Sequence, residues 1–225
     1  MRRYTSVILV AVLLLSALSG IWLIAQPSFE RQANHDAQEN LLAEIEDSMA
    51  RPAPVPTPVL TPKPETTVQP DNIRYIPLEP EEKEPVPIGT QLGILSIESL
   101  DMKLPIVEGI TAELLKTSTG HVPETAAIGD IGNAVIAGHR NYDYGSMFNR
   151  LGEAEIGDII DYTSADGESC LFEVFEITVI EPSDQIAFIQ PADKSIITLY
   201  TCTPIREATH RLLVRAEKNC EEAYT

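Results

Sequence analysis

Eleven of the 17 prolines in this 225-residue chain fall between Pro52 and Pro87. Proline fixes φ and removes a backbone donor, so so dense a stretch joins neither a helix interior nor the middle of a sheet. It favours extended polyproline II and serves as a semi-rigid spacer. A stalk is the expected role, ahead of a ligand for proline-binding domains. The chain is thereby divided. Its core must come from the roughly 130 residues after Thr90, enough for one domain without help from disulfides or metals.

Before the stalk, Val7 to Ala25 is a run of 19 residues without a charge, preceded by Arg2 and Arg3. That length spans a bilayer, whereas a signal-peptide core is about 7–15 residues. The small residues Ala17 and Ser19 offer a cleavage site, but a cut there falls inside the apolar run. An uncleaved single-pass anchor in the cell membrane is expected, with the arginines holding the N-terminus in the cytoplasm and the rest outside. The predicted organisation is 1–6 cytoplasmic, 7–25 transmembrane, 26–89 juxtamembrane segment and stalk, 90–219 folded domain and 220–225 tail. Ser28 to Ala50 reads as a short helix or a solvated segment.

A formal net charge of -18 argues against a nucleic-acid partner, which needs a basic footprint. The three cysteines, Cys170, Cys202 and Cys220, form no C-x-x-C pair, and four histidines add little, so no structural metal is expected. An odd count outside the cell flags a free thiol, although a Cys170–Cys220 bridge is conceivable.

From Gln91 onward, short apolar runs alternate with Gly, Pro, Asn and Asp. Strands are predicted at 93–97, 102–107, 134–137, 158–162, 170–180, 195–201 and 211–216, with helical turns at 112–116 and 146–151. Many short strands and few helices predict an all-β, closed or nearly closed barrel.

Three residues in this pattern suggest chemistry. Ser195 to Thr201 is an apolar, β-branched run that meets Cys202 and is broken by Thr203-Pro204. The strand is expected to stop there, placing the thiol at a barrel mouth. Arg211 opens the next strand, so a hairpin brings it near Cys202. Arg215 lies four residues on, about 13 Å along the strand, and is expected to be a peripheral charge. Arg206, in the loop, is a possible substitute. His139 closes the run Asn133 to Gly138 at another strand end. A free thiol is mostly protonated at neutral pH and needs a base or cationic partner to attack a carbonyl. His139 can move that proton and later protonate a leaving amine. The other histidines fit less well: His35 precedes the stalk, His121 sits in a Gly-His-Val-Pro turn, and His210 points to the face opposite Arg211.

The stretch TLYTCTPIREATHRLLVRAE, residues 198–217, resembles the sortase signature of T-L-x-T-C followed by a catalytic arginine. AVIAGHRNYDYGSMFNRL, residues 134–151, is similar to the sortase histidine segment. The resemblance covers roughly residues 91–216. It implies an eight-stranded sortase β-barrel with short helices, preceded here by the transmembrane helix and Pro-rich linker. It maps the nucleophile to Cys202, the histidine to His139, the arginine to Arg211 and a substrate-binding position to Thr201, with no metal and no cofactor. The implied activity is cysteine transpeptidation. An LPxTG-type sorting signal is cleaved between Thr and Gly, held as a thioester, and passed to an amine of a peptidoglycan precursor or of a pilin lysine.

Thr-Pro after the cysteine and Thr-His-Arg-Leu-Leu-Val resemble class C, pilin-polymerising sortases. Those usually add a second transmembrane helix and an Asp-Pro-aromatic lid, neither of which is visible here, so a class D-like, wall-anchoring enzyme is expected. Glu153, Glu155 and Asp158 suggest calcium less than they suggest a solvated acidic turn. The alternatives are a non-catalytic wall-peptide binder and a hydrolytic cysteine peptidase.

Overall fold

In the computed structural model, the described residues are 2–50, 85–140 and 145–219. Helix α1 spans Arg2–Ala50. Eight strands follow: β1 (Gln91–Ile97), β2 (Met102–Glu108), β3 (Thr119–His121), β4 (Gly132–Ala137), β5 (Ile159–Ser164), β6 (Ser169–Ile180), β7 (Ser195–Thr203) and β8 (His210–Lys218). They close a barrel in the order β1-β2-β3-β4-β7-β8-β6-β5. The expected all-β barrel is present, with β3 added to the seven predicted strands.

Closure follows from the pleat. Alternate side chains of each strand point to one side, and the inward set includes Leu95, Ile97, Leu104, Ile106, Ile136, Phe172, Val174, Ile197, Leu199, Leu212 and Val214. Phe148, from the segment after β4, is fully buried in the same core. Curvature is relieved at Gly93, where β1 bulges against β2. A Cβ built there lies 2.1 Å from the Thr163 carbonyl of β5, so only glycine allows the strands to approach.

Two of the pairings are parallel, β2 with β3 and β4 with β7. The second aligns Ala137 with Tyr200. Cys202 pairs directly with Arg211 in the antiparallel β7–β8 ladder. β7 therefore has β4 on one side and β8 on the other.

The end of α1 is not simply solvated. Leu41, Leu42 and Met49 are half-buried and Ile45 is fully buried, at the 3–4-residue spacing of one helix face. This face lies on β1 and β2, and Lys103 of β2 pairs with Glu46. Residues 7–25 fall within α1, with most of their side chains outside the described residues. Among the described residues, no helix is long and apolar enough to cross a membrane. Of the predicted stalk, residues 52–84 lie outside them, as do 141–144 and Cys220.

Candidate active site

β7 runs two residues further than the sequence suggested, to Thr203, so Cys202 belongs to a paired strand. Its inward neighbours in the pleat are Ile197 and Leu199. Cys202 therefore faces outward with Tyr200, on the outer surface of the sheet near its end, rather than into a barrel mouth. The thiol is free and half-buried. Arg211 stands opposite, with Cα atoms about 4.5–5.5 Å apart as in any antiparallel pair. Arg211 Nη1 donates to Ala208 O at 3.2 Å and to His210 O at 3.0 Å. These bonds park one edge of the guanidinium on the β7–β8 loop and leave Nε and Nη2 without a bond among the described residues.

His139 lies two residues past Ala137, as Cys202 lies two past Tyr200. The parallel seam continues just far enough to hold it. Gly138 N donates to Tyr200 O at 3.2 Å, and His139 O accepts from Phe148 N at 3.0 Å. The imidazole side chain is exposed. Topology thus gathers His139, Cys202 and Arg211 on three adjacent strand ends, β4, β7 and β8.

Thr201 has a different place from the one expected. It is 1 % exposed, and its hydroxyl donates to Gly138 O at 2.7 Å. A hydroxyl so enclosed and engaged holds β7 to the end of β4 and does not reach a substrate.

The outward face beside Cys202 is walled. Tyr200 and Leu213 form a second apolar cluster with Ile180, Ala187 and Phe188, and the Phe188 and Tyr200 rings stand 5.9 Å apart. Ile180 pairs with Arg211 across β6 and β8. The wall segment 186–190 is hung from one buried side chain, Asn133 of β4. Its Nδ2 donates to Ala187 O at 2.8 Å and Ile189 O at 3.2 Å, while its Oδ1 accepts from Thr198 Oγ1 at 2.7 Å. Gln190 returns the contact, accepting from Asn133 N at 2.8 Å and donating to Asn133 O at 3.0 Å. The result is an apolar ledge next to a thiol, an imidazole and a guanidinium.

The remaining candidates are occupied elsewhere. His121 is in strand β3 rather than a turn, 6 % exposed, with Nδ1 2.7 Å from Glu108 Oε2. Its Nε2 faces Ala126 O at 2.9 Å and Thr125 Oγ1 at 3.0 Å, and that hydroxyl donates to Val122 O. Nε2 is therefore a donor, and both ring nitrogens are committed. This pair borders a cavity of about 780 Å³ that is also lined by residues 85–88. His35 is exposed on α1, 3.5 Å from Glu39, and His210 is 3.2 Å from Glu181. Arg215 bonds Glu176 at 2.6 Å and lies 5.4 Å over the Phe175 ring, and Arg206 is exposed in the loop. In the acidic turn, Glu153 pairs with Arg150 and Asp158 accepts from Glu155 N at 2.8 Å.

Comparison with known proteins points the same way. The model of the Sortase domain family matches residues 95–219. Sortase D of Bacillus subtilis is 31% identical over 116 residues, covering 52% of this chain and 56% of that protein. The match thus spans about half the length of both. A solved Clostridium perfringens sortase D5 transpeptidase is 25% identical with a TM-score of 0.60, covering 82% of this chain and 99% of that one. Clostridium perfringens sortase C, solved with the C-terminal cell wall sorting motif, is 28% identical with a TM-score of 0.54, covering 60% and 73%.

Proposed function

The chain belongs to the sortase family, and from that membership and the strand order around Cys202 we propose that it is a membrane-anchored cysteine transpeptidase that attaches sorted proteins to a cell-wall amine. The observation that carries this reading is the position of β7 between β4 and β8, with His139 and Arg211 on either side of the thiol.

In the proposed reaction, the Cys202 thiol passes its proton to His139 and its sulfur attacks the threonine carbonyl of an LPxTG-type motif. The oxyanion that forms is met by the free Nε and Nη2 edge of Arg211, a donor that cannot lose its proton. The Thr–Gly C–N bond breaks as His139 gives a proton to the leaving glycine amine, and a C–S thioester remains. An acceptor amine then adds to the thioester and loses its proton to His139. The C–S bond breaks, releasing Cys202 and a new amide. The ledge of Ile180, Ala187, Phe188, Tyr200 and Leu213 would seat the apolar part of the motif.

The apolar run at 7–25 anchors the enzyme through one N-terminal span, with the barrel outside the cell. A second reading, transfer to a pilin lysine, rests on the Thr-Pro after Cys202 and on the likeness to sortase C structures. Both are tested by incubating the full chain in detergent with a Leu-Pro-x-Thr-Gly-type peptide, alone and with glycine-type, diaminopimelate-type or lysine amines. Transfer lost in Cys202→Ala supports the proposal, and the preferred amine selects between the two acceptors. Cleavage indifferent to every amine means a peptidase, and no turnover of varied peptides means a binder.

A further inference from the structure

His139 and Cys202 are flanked by residues that are themselves bonded across the β4–β7 seam. On the near side, Thr201 Oγ1 donates to Gly138 O at 2.7 Å. On the far side the strand ladder has ended, and a side chain takes over: Arg140 Nη1 donates to Thr203 Oγ1 at 2.8 Å. The residue before His139 is tied to the residue before Cys202, and the residue after His139 to the residue after Cys202.

The seat of this guanidinium is built. Arg140 Nε donates to Asn149 O at 3.4 Å, and a Cβ placed on Gly152 would lie 2.1 Å from Arg140 Nη2. A bare backbone at position 152 is what leaves room for the planar group. Burial pushes the Arg140 pKa down, with Glu153 opposing weakly, yet no carboxylate bonds it among the described residues. A cation partly removed from water without an ion pair costs stability. Its bonds serve geometry.

We propose that Arg140 is a positioning residue for the thiol–imidazole pair: seated over Gly152, it ties the chain leaving His139 to Thr203 and so fixes the imidazole against the Cys202 sulfur. This rests on the reading of His139 and Cys202 as proton partner and nucleophile, and adds a residue that touches neither substrate nor the reacting atoms. Arg140→Gln removes the clamp, Gly152→Ala displaces it while leaving the charge, and Thr203→Val removes only its acceptor.

The first readout needs no sorting peptide. It is the rate of iodoacetamide alkylation of Cys202 against pH in the full chain, with the Cys202 peptide separated from those of Cys170 and Cys220 by mass spectrometry. All three variants should move the alkylation profile toward that of His139→Ala, with thermal unfolding close to that of the unaltered chain. Transfer should lose about 100-fold in kcat with KM nearly unchanged, the scale expected for a misplaced reacting group. Arg140→Lys should recover only part, because one ammonium cannot span Asn149 O and Thr203 Oγ1 together. Arg140→Gln and Thr203→Val should be non-additive when combined.

Should Arg140→Gln fail to fold, Thr203→Val decides. An unchanged alkylation profile in Thr203→Val and Gly152→Ala, whatever the thermal stability, overturns the proposal. Failure of the unaltered chain to transfer peptide would instead remove the transpeptidase reading, and the alkylation profile would still decide the role of Arg140.

Discussion

Arginine at position 211 is asked to do two things that a lysine cannot combine. Nη1 of the guanidinium is spent on Ala208 O and His210 O, and Nε and Nη2 make no bond among the described residues. Arg211→Lys keeps the charge and loses this division of donors. Transfer should fall by about 100- to 1,000-fold in kcat, the effect of deleting one oxyanion donor, while Cys202 remains open to alkylation. Steady-state transfer kinetics over a range of peptide concentrations would check it. A loss confined to KM would mean that Arg211 binds the ground state and not the developing charge. The residues proposed to react were legible in the sequence, because a cysteine ending a β-branched run and an arginine opening the next are local features. Thr201 and Arg140 were not, since their roles depend on Gly138 and Thr203, residues more than 60 positions away.

At the scale of elements, the apolar runs of β4, β6, β7 and β8 announce themselves. β3 does not. Three residues, Thr-Gly-His, are too short and too polar to show a period, and they form a strand because Thr119 Oγ1 bonds Pro105 O at 2.8 Å and His121 meets Glu108. The wall at 186–190 was equally hidden, since Asn133 holds it from a distant strand. Asn133→Ala strips donors from two carbonyls and the acceptor from the buried Thr198 hydroxyl. It should destabilise the barrel by roughly 2–4 kcal/mol, at about 1–3 kcal/mol for a buried group left unsatisfied. It should also raise KM for peptide as the ledge loosens. Denaturant unfolding and hydrogen exchange over 186–190 test both.

Tyr162 of β5 reports on the packing at the other end. Its hydroxyl donates to Leu92 O at 2.7 Å, and burial, helped by Cys170 and Asp166, pushes its pKa up from 10.0 to about 12. The fold therefore retains a proton that the unfolded chain releases. Stability should be unaffected by this group below pH 10 and fall as pH rises from 10 to about 12, by on the order of 2–3 kcal/mol. Unfolding free energy measured against pH, in the natural chain and in Tyr162→Phe, isolates it. An equally steep alkaline loss in Tyr162→Phe would assign the effect elsewhere.

For the molecule as a whole, the barrel is braced by its own N-terminal helix. Ile45, buried against β1 and β2, and the Lys103–Glu46 pair set the helix end on the sheet. Full burial of such a side chain contributes about 1.5–3 kcal/mol. Ile45→Asp should release this contact without unfolding the barrel, so amide exchange should quicken at 41–49 and stay unchanged in β4, β7 and β8. Barrel-wide exchange would mean instead that the helix is part of the folding unit. The closed all-β architecture was readable from strand lengths and turn residues, but the docked helix end was not, because Leu41, Leu42, Ile45 and Met49 form a stripe too brief to stand out in a polar segment.

The central claim, that Cys202 carries the acyl group, is tested most directly by mass spectrometry of the full chain after incubation with a Leu-Pro-x-Thr-Gly-type peptide and no amine. The account predicts an adduct ending at the motif threonine on the peptide containing Cys202, released by hydroxylamine and missing in Cys202→Ala. Peptide cleavage that persists in Cys202→Ala, or an adduct on any other residue, would contradict it.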